Sequence, residues 1–309
     1  MPALACRLSS TPATVETAAS GRRSQRRSHE GQGTDLRGSL DDAADFELGE
    51  DIPRVGVLSR RTISSAIERL QREHGLADAG LGFSALQKAS QTHNVKLRSV
   101  AAAILSSGEF GRGSRRTRRS KPPPLSFTER GYGAQPNRSL VLRDLLQSAT
   151  TLLGADFGAV QLRDTVHGGL VIENQRGFSR DFLDHFSYLD DTGTACGTTM
   201  EYRCQTFVDD VETSSIYTAE DRRMVLEAGV RSVFSTPLCA PDGVVTGAVT
   251  VHFAAPHRRP TEADADDVQR YANETATWLR WYDATAMPRI VSSVHAAARR
   301  AKAGERSSR

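Results

Sequence analysis

In this 309-residue chain the side chains best equipped for recognition chemistry cluster at Ser90-Gln91-Thr92-His93-Asn94, followed at once by Lys96 and Arg98. Leu97, Val100, Ala101, Ile104 and Leu105 recur at helical spacing and form one apolar face, which leaves Lys96, Arg98 and Ser99 on the other side. An ammonium and a guanidinium attract phosphate without reading sequence, whereas Gln91, His93 and Asn94 can hydrogen-bond the edges of unstacked bases. A helix start beside them adds partial positive charge. Each residue also has a plain structural role open to it: Asn94 as the N-cap of the helix, His93 as an exposed turn residue, both cations as solvated charges. Their joint spacing is what points to nucleic acid.

Other reactive side chains are dispersed. Cys6, Cys196, Cys204 and Cys239 show neither paired metal-ligand spacing nor disulfide density, so a reducing cytoplasm is expected. No Ser-His-Asp order, phosphate-binding glycine loop or His/Cys cluster at ligand spacing is visible; neither catalytic residues nor a metal is expected. Cys196 before Gly197 admits a redox reading, but a small buried hydrophobe explains it as well. His252 lies in an apolar run and should pack within a sheet, and His167 and His185 have no iron-ligand context. Arg176 and Arg231 could face an anion or pair with Asp209 or Asp210.

The elements that must position these groups fall into blocks. Residues 1–50 are rich in Ser, Thr, Gly, Arg and Asp and read as a flexible tail. Residues 51–108 read as a small all-α three-helix module. Its first helix carries Ile63, Ala66, Ile67 and Leu70 inward and Arg60, Arg61, Arg69 and Arg72 outward; Gly75, Gly80 and Gly82 then break the pattern before a short second helix. Residues 109–137, with Arg115 to Arg119 and Lys121-Pro122-Pro123-Pro124, read as a basic, proline-stiffened linker that lets the halves move separately. Residues 138–286 alternate apolar strands (Phe157 to Leu162, Leu170 to Asn174, Gln205 to Val208, Val230 to Leu238, Val244 to Phe253) with helices, an α+β pattern with a central antiparallel sheet. Pro241-Asp242-Gly243 marks a tight turn. Residues 287–309 read as a basic C-terminal tail.

The run Ser90 to Ala101 resembles the ANTAR family, three-helix RNA-binding units of bacterial antitermination regulators. That resemblance implies hairpin-loop RNA as partner, with Arg61, Arg69, Gln91, His93, Asn94, Lys96 and Arg98 as contacts. The family usually has Ala-Lys-Gly on its first helix; here Ala66 is followed by Ile67 and Glu68, which offer neither phosphate contact nor close approach. Gly154-Ala155-Asp156-Phe157-Gly158, Gln175-Arg176-Gly177-Phe178, Val208-Asp209-Asp210-Val211 and Ser235-Thr236-Pro237-Leu238 are similar to landmarks of GAF sensor domains. This implies a small-molecule pocket, with Phe157, Gln161, Arg176, Cys196 and Arg231 as candidates, for an unidentified ligand or redox signal and no identified cofactor. A DNA-reading helix-turn-helix fits less well, because the Gly75 to Gly82 break exceeds its tight turn.

The net charge of +3 is small, but arginines concentrate between Arg22 and Arg27, between Arg112 and Arg119 and after Arg299. No apolar run reaches the length of about 20 residues that spans a bilayer, and the N-terminus lacks the order of a signal peptide. The reading is therefore a cytoplasmic, non-enzymatic bacterial regulator, homodimeric through the helices around Leu142 and Trp278, that binds RNA to control transcription antitermination. The alternative is a ligand sensor whose helical module mediates protein interaction or dimerisation without RNA. Because the RNA module precedes the sensor, coupling by dimerisation or by masking of the basic face fits better than a rigid signalling helix.

Overall fold

The structure is a computed structural model and describes residues 7–9, 54–106, 120–129, 136–190 and 193–307. Strand β1 (Arg7–Ser9) precedes three helices, α1 (Arg54–His74), α2 (Ala79–His93) and α3 (Leu97–Ser106). The mixed half follows as α4 (Arg138–Leu153), β2 (Phe157–Arg163), β3 (Leu170–Arg176), α5 (Arg180–His185), β4 (Tyr188–Leu189), α6 (Ala195–Tyr202), β5 (Gln205–Val208), α7 (Ala219–Glu227), β6 (Ser232–Cys239), β7 (Val245–Phe253) and α8 (Glu262–Thr285). A last helix, α9 (Met287–Ser307), stands where a basic tail was expected. Apart from β1, the expected flexible tail lies outside the described residues, as does the arginine run from Arg112 to Arg119.

Glycine placement corrects the reading of the helical half. Gly75 ends α1 in the left-handed region (φ 64°), as expected. Gly80 and Gly82 instead lie inside α2, which Asp78 caps by accepting the amide of Gly80 at 2.8 Å. A Cβ on Gly82 would sit 3.2 Å from Ile67 Cγ2, so Gly82 lets α2 approach α1 at Ile67. Ser90 to His93 close α2 rather than open α3. Asn94 is the left-handed C-cap of α2 (φ 49°, ψ 51°) and not the N-cap of α3. Its amide donates to the carbonyl of Gln91 and that of Val95 to Ser90, which satisfies two of the end carbonyls of α2.

The sheet runs β1-β5-β6-β7-β2-β3-β4; β2 to β7 are antiparallel and β1 adds to β5 in parallel. Alternation sends Val160, Leu162, Val249 and Val251 toward α4 and α8, and Ala159, Val233 and Ala248 toward the face under α5 to α7. The first of these cores does not stop at the sheet. Leu70, Leu86 and Ile104 of the helical half and Val141, Leu145 and Trp278 of the mixed half belong to one continuous apolar cluster, and Ile290, Val291 and Val294 of α9 join it. The halves therefore share one core in this arrangement, where a linker that separates them was expected. Residues 120–129 lie against α8: Phe127 packs on Tyr271, Ser126 donates to Glu274, and Trp281 Nε1 donates to Ser120. In the helices expected to form a dimer contact, Leu142 and Trp278 themselves are buried in the chain's own core.

Candidate nucleic-acid interface and sensor pocket

The start of α3 rests on the outer edge of β3. Strand β4 pairs with β3 only at Leu170 and Val171, so beyond Val171 that edge has no strand neighbour among the described residues. Between β2 and β3 the register passes from Val160↔Asn174 to Gln161↔Ile172, leaving Glu173 as the extra residue of a bulge. Lys96 Nζ donates to the carbonyls of Ile172 (3.3 Å) and Glu173 (2.8 Å), and Arg98 Nη2 donates to the carbonyl of Ile172 at 3.3 Å. Both cations also hold the Glu173 carboxylate: Arg98 Nη2 lies 2.8 Å from Oε1 and Lys96 Nζ 3.2 Å from Oε2. Two basic side chains thus cover an otherwise open strand edge.

The Glu173 side chain is only 10% exposed. Burial alone would push its carboxyl up, but Arg138, Lys96 and Arg98 outweigh that and lower it to about 2. Burial lowers the Lys96 ammonium, Glu173 opposes the shift and the nearby Arg98 adds to it. Beside this contact a cavity of about 480 Å³ separates the two halves, bordered by Thr62, Arg98, Arg138, Glu173, Asp283 and Val291. The Nε of Arg138 is buried there without a hydrogen-bond partner. Across the seam, Thr62 Oγ1 and His167 Nε2 lie 2.9 Å apart.

On the opposite face of the sheet, Gln161, Ile172, Phe182, Phe186, Cys196 and His252 surround a space of only about 30 Å³. That is about the volume of one water. Aromatic rings fill the rest: Phe178 stacks on Phe182 at 3.9 Å and meets His252 edge-on at 4.9 Å. Burial lowers the His252 imidazole to about 3, so it is neutral, and its Nδ1 has no partner. Burial raises the Cys196 thiol, which contacts Thr194 Oγ1 at 3.2 Å. A buried, protonated thiol is a poor nucleophile.

A model of the ANTAR domain matches residues 56–105, and a model of the GAF domain matches residues 137–277. The chain carries an ANTAR domain followed by a GAF domain. Its GAF part is similar in fold to a GAF domain/HD domain protein from Geobacter sulfurreducens (16% identity, TM-score 0.39, 47% of this chain and 93% of that one). It is similar also to the blue-light absorbing form of the Thermosynechococcus elongatus PixJ GAF domain (17%, TM-score 0.39, 48% and 90%). A third is a type II free methionine-R-sulfoxide reductase from Thermoplasma acidophilum (13%, TM-score 0.38, 47% and 96%). A search of curated proteins finds no match.

The ANTAR domain therefore presents its expected contacts unequally. Lys96 and Arg98 both bind the GAF domain; the Arg98 side chain is 20% exposed, whereas that of Lys96 keeps 39% of its surface open to solvent. Arg69 is also engaged: its Nε pairs with Glu73 at 2.7 Å and its Nη1 donates to the carbonyls of Ile104 and Leu105, closing the end of α3. Arg61, Gln91 and Asn94 are exposed, and His93 is half-buried. His93 and Asn94 border a groove of about 1070 Å³ with Lys121, Trp281 and Arg289. Of the GAF candidates, Gln161 and Cys196 line the small space and Phe157 reaches it only by stacking on Phe178. Arg176 and Arg231 do not line it. Arg176 donates to Gln147 and Thr150 on α4, and Arg231 pairs with Asp210 at 3.0 Å and Glu212 at 2.9 Å, the ion-pair alternative. Glu173 was missed, although a carboxylate inside Leu170-Val171-Ile172-Glu173 is itself a signal that a cation approaches from outside the strand.

Proposed function

We propose that this protein is a cytoplasmic, non-enzymatic regulator that binds hairpin-loop RNA through its ANTAR domain to control antitermination, and that its GAF domain masks the RNA-binding cations until a signal arrives. The observation that carries this reading is the clamp of Lys96 and Arg98 on the Glu173 bulge. Ile172, whose carbonyl accepts from both cations, points its side chain into the small GAF space. A small molecule that enlarges that space has to shift β3 at the residues that hold α3, so the two sites share one strand. Redox sensing by Cys196 is disfavoured by its burial, and a non-covalent ligand fits better. A homodimer would use faces of α4 and α8 other than Leu142 and Trp278.

Fluorescence anisotropy with a hairpin RNA tests the reading on wild type, Glu173→Gln and the double change Lys96→Gln plus Arg98→Gln. Glu173→Gln should bind at least about tenfold tighter than wild type, because it weakens the masked state without touching the cations. The double change should bind weakly and reduce the salt slope by about 2. Equal, weak binding by all three would sink it. That result would favour the second reading, an ANTAR fold kept for intramolecular packing or dimerisation, which the packing of Ile67 against Gly82 and the occupied cations support.

A further inference from the structure

Glu73 and His74 end α1, and His295 comes from α9, a helix beyond both matched domains. His295 Nδ1 lies 2.8 Å from His74 Nε2 and 3.6 Å from Glu73 Oε2, and the three donor atoms all fall within 4.8 Å of one another. Among the described residues this is the one such group. We propose that Glu73, His74 and His295 bind a divalent transition-metal ion, with zinc as the best fit, which cross-links the first ANTAR helix to the C-terminal helix.

The donor set decides the class. Two imidazole nitrogens and one carboxylate oxygen suit Zn²⁺, Co²⁺, Ni²⁺ or Cu²⁺, whereas Mg²⁺ and Ca²⁺ require mostly oxygen. Ligand atoms on a tetrahedral zinc, at about 2.0–2.1 Å from it, are separated by roughly 3.3–3.5 Å. The separation of 3.6 Å between Glu73 Oε2 and His295 Nδ1 is close to this, and the imidazole pair must open by about half an ångström. Without metal the facing nitrogens share a hydrogen bond, one ring donating and the other accepting. Metal entry moves that proton to the far nitrogen of its ring, so both imidazoles remain neutral and no proton is lost overall.

The surroundings keep the donors in ligating form. Burial lowers both imidazoles from their ordinary range, which favours the neutral, ligating form, although the charge of Glu73 opposes this. Arg69 holds the other oxygen, Glu73 Oε1, at 2.7 Å, which aims Oε2 at His295. The Glu73 side chain is 38% exposed, so water can reach a fourth coordination position. Arg69 and Arg299 oppose a cation there, and the negative charge of Glu73 offsets them in part. The expectation of no metal rested on spacing along the chain, and these imidazoles are 221 residues apart.

The test uses the full chain, stripped with a chelator and titrated with Zn²⁺ by calorimetry and with Co²⁺ by visible absorption. Wild type should bind one equivalent, give the d–d bands of a nitrogen–oxygen site without thiolate charge transfer, and melt at a higher temperature with Zn²⁺. His295→Ala and, as a milder change that keeps a polar side chain, His74→Gln should each weaken binding by more than about tenfold. Failure of wild type to bind a stoichiometric ion, or equal binding by either histidine variant, overturns the proposal. No RNA enters the measurement, so its outcome is independent of the RNA reading.

Discussion

Arg98 and Glu173 meet at 2.8 Å across the seam between the ANTAR and GAF domains, 75 residues apart in sequence. Glu173 is also where β3 bulges, so the residue that departs from the ladder is the one that anchors α3. Opening this contact leaves a carboxylate inside the protein with fewer partners. Removing one partner of a buried pair costs about 3–5 kcal/mol, whereas losing a solvated surface pair costs about 1 or less. In the regulation proposed above, a ligand would have to favour the open arrangement by at least what this contact contributes to the closed one.

The pH dependence of stability follows from Glu173. Its carboxyl is held at about 2 against an ordinary 4.5, so the unfolded chain takes up the proton first as pH falls. The stabilisation is complete above the unfolded value and is lost as pH drops through the interval down to about 2. Its size is on the order of 3 kcal/mol. Urea denaturation at about pH 6 and about pH 3 should show a larger loss for wild type than for Glu173→Gln; parallel losses would remove Glu173 as the cause.

A methyl group at Gly247 should be poorly tolerated. Gly247 of β7 pairs with Leu162 of β2, and its Cβ would run into the carbonyl oxygen of Gln161 and stand 2.7 Å from Leu162 Cδ2. The obstacle includes backbone in mid-sheet, which cannot rotate away. Gly247→Ala is expected to cost about 2–3 kcal/mol, whereas Gly304→Ala, with open space at its Cβ, should cost nothing or stabilise α9 by about 0.5–1 kcal/mol. The thermal melt should fall for Gly247→Ala and stay level or rise for Gly304→Ala.

Helix α9 should behave as part of the core. Ile290 is 2% exposed, and Ile290→Ala is expected to cost about 2–5 kcal/mol. Hydrogen exchange should then rise in α2, which packs against α9, more than in β6 or β7. Unchanged stability would mean that α9 does not pack there in solution.

Cys196 should be inert in the native state. It is buried, burial raises its thiol, and its environment supplies Thr194 rather than a cation. Alkylation mapped by mass spectrometry should modify Cys196 only on unfolding. Rapid native labelling at this position would contradict the closed space observed around it.

Much of the local order was legible because it depends on neighbours in sequence. Short apolar runs marked β2, β3, β5, β6 and β7, Pro241-Asp242-Gly243 marked the β6–β7 turn, and apolar residues at helical spacing marked α1, α3 and α8. The short elements α5, β4 and α6 carry too few residues for a period to emerge. Helix α9 was hidden for another reason: its arginines and alanines suggest a solvated tail, and only the surfaces of α1, α2, α3 and α8 brought together by folding give Ile290, Val294 and Ala298 something to pack against.

By itself, then, the order of residues determined two domains, a cationic helix in the first and an antiparallel sheet in the second. Tertiary structure alone decided which way the cations point. Asn94 turned left-handed to close α2, which set α3 against β3; a bulge then carried Glu173 outward to meet Lys96 and Arg98. A charge pattern specifies what a side chain can bind but not where its partner lies. Partners separated by 75 or 221 residues meet only after the core they share has formed.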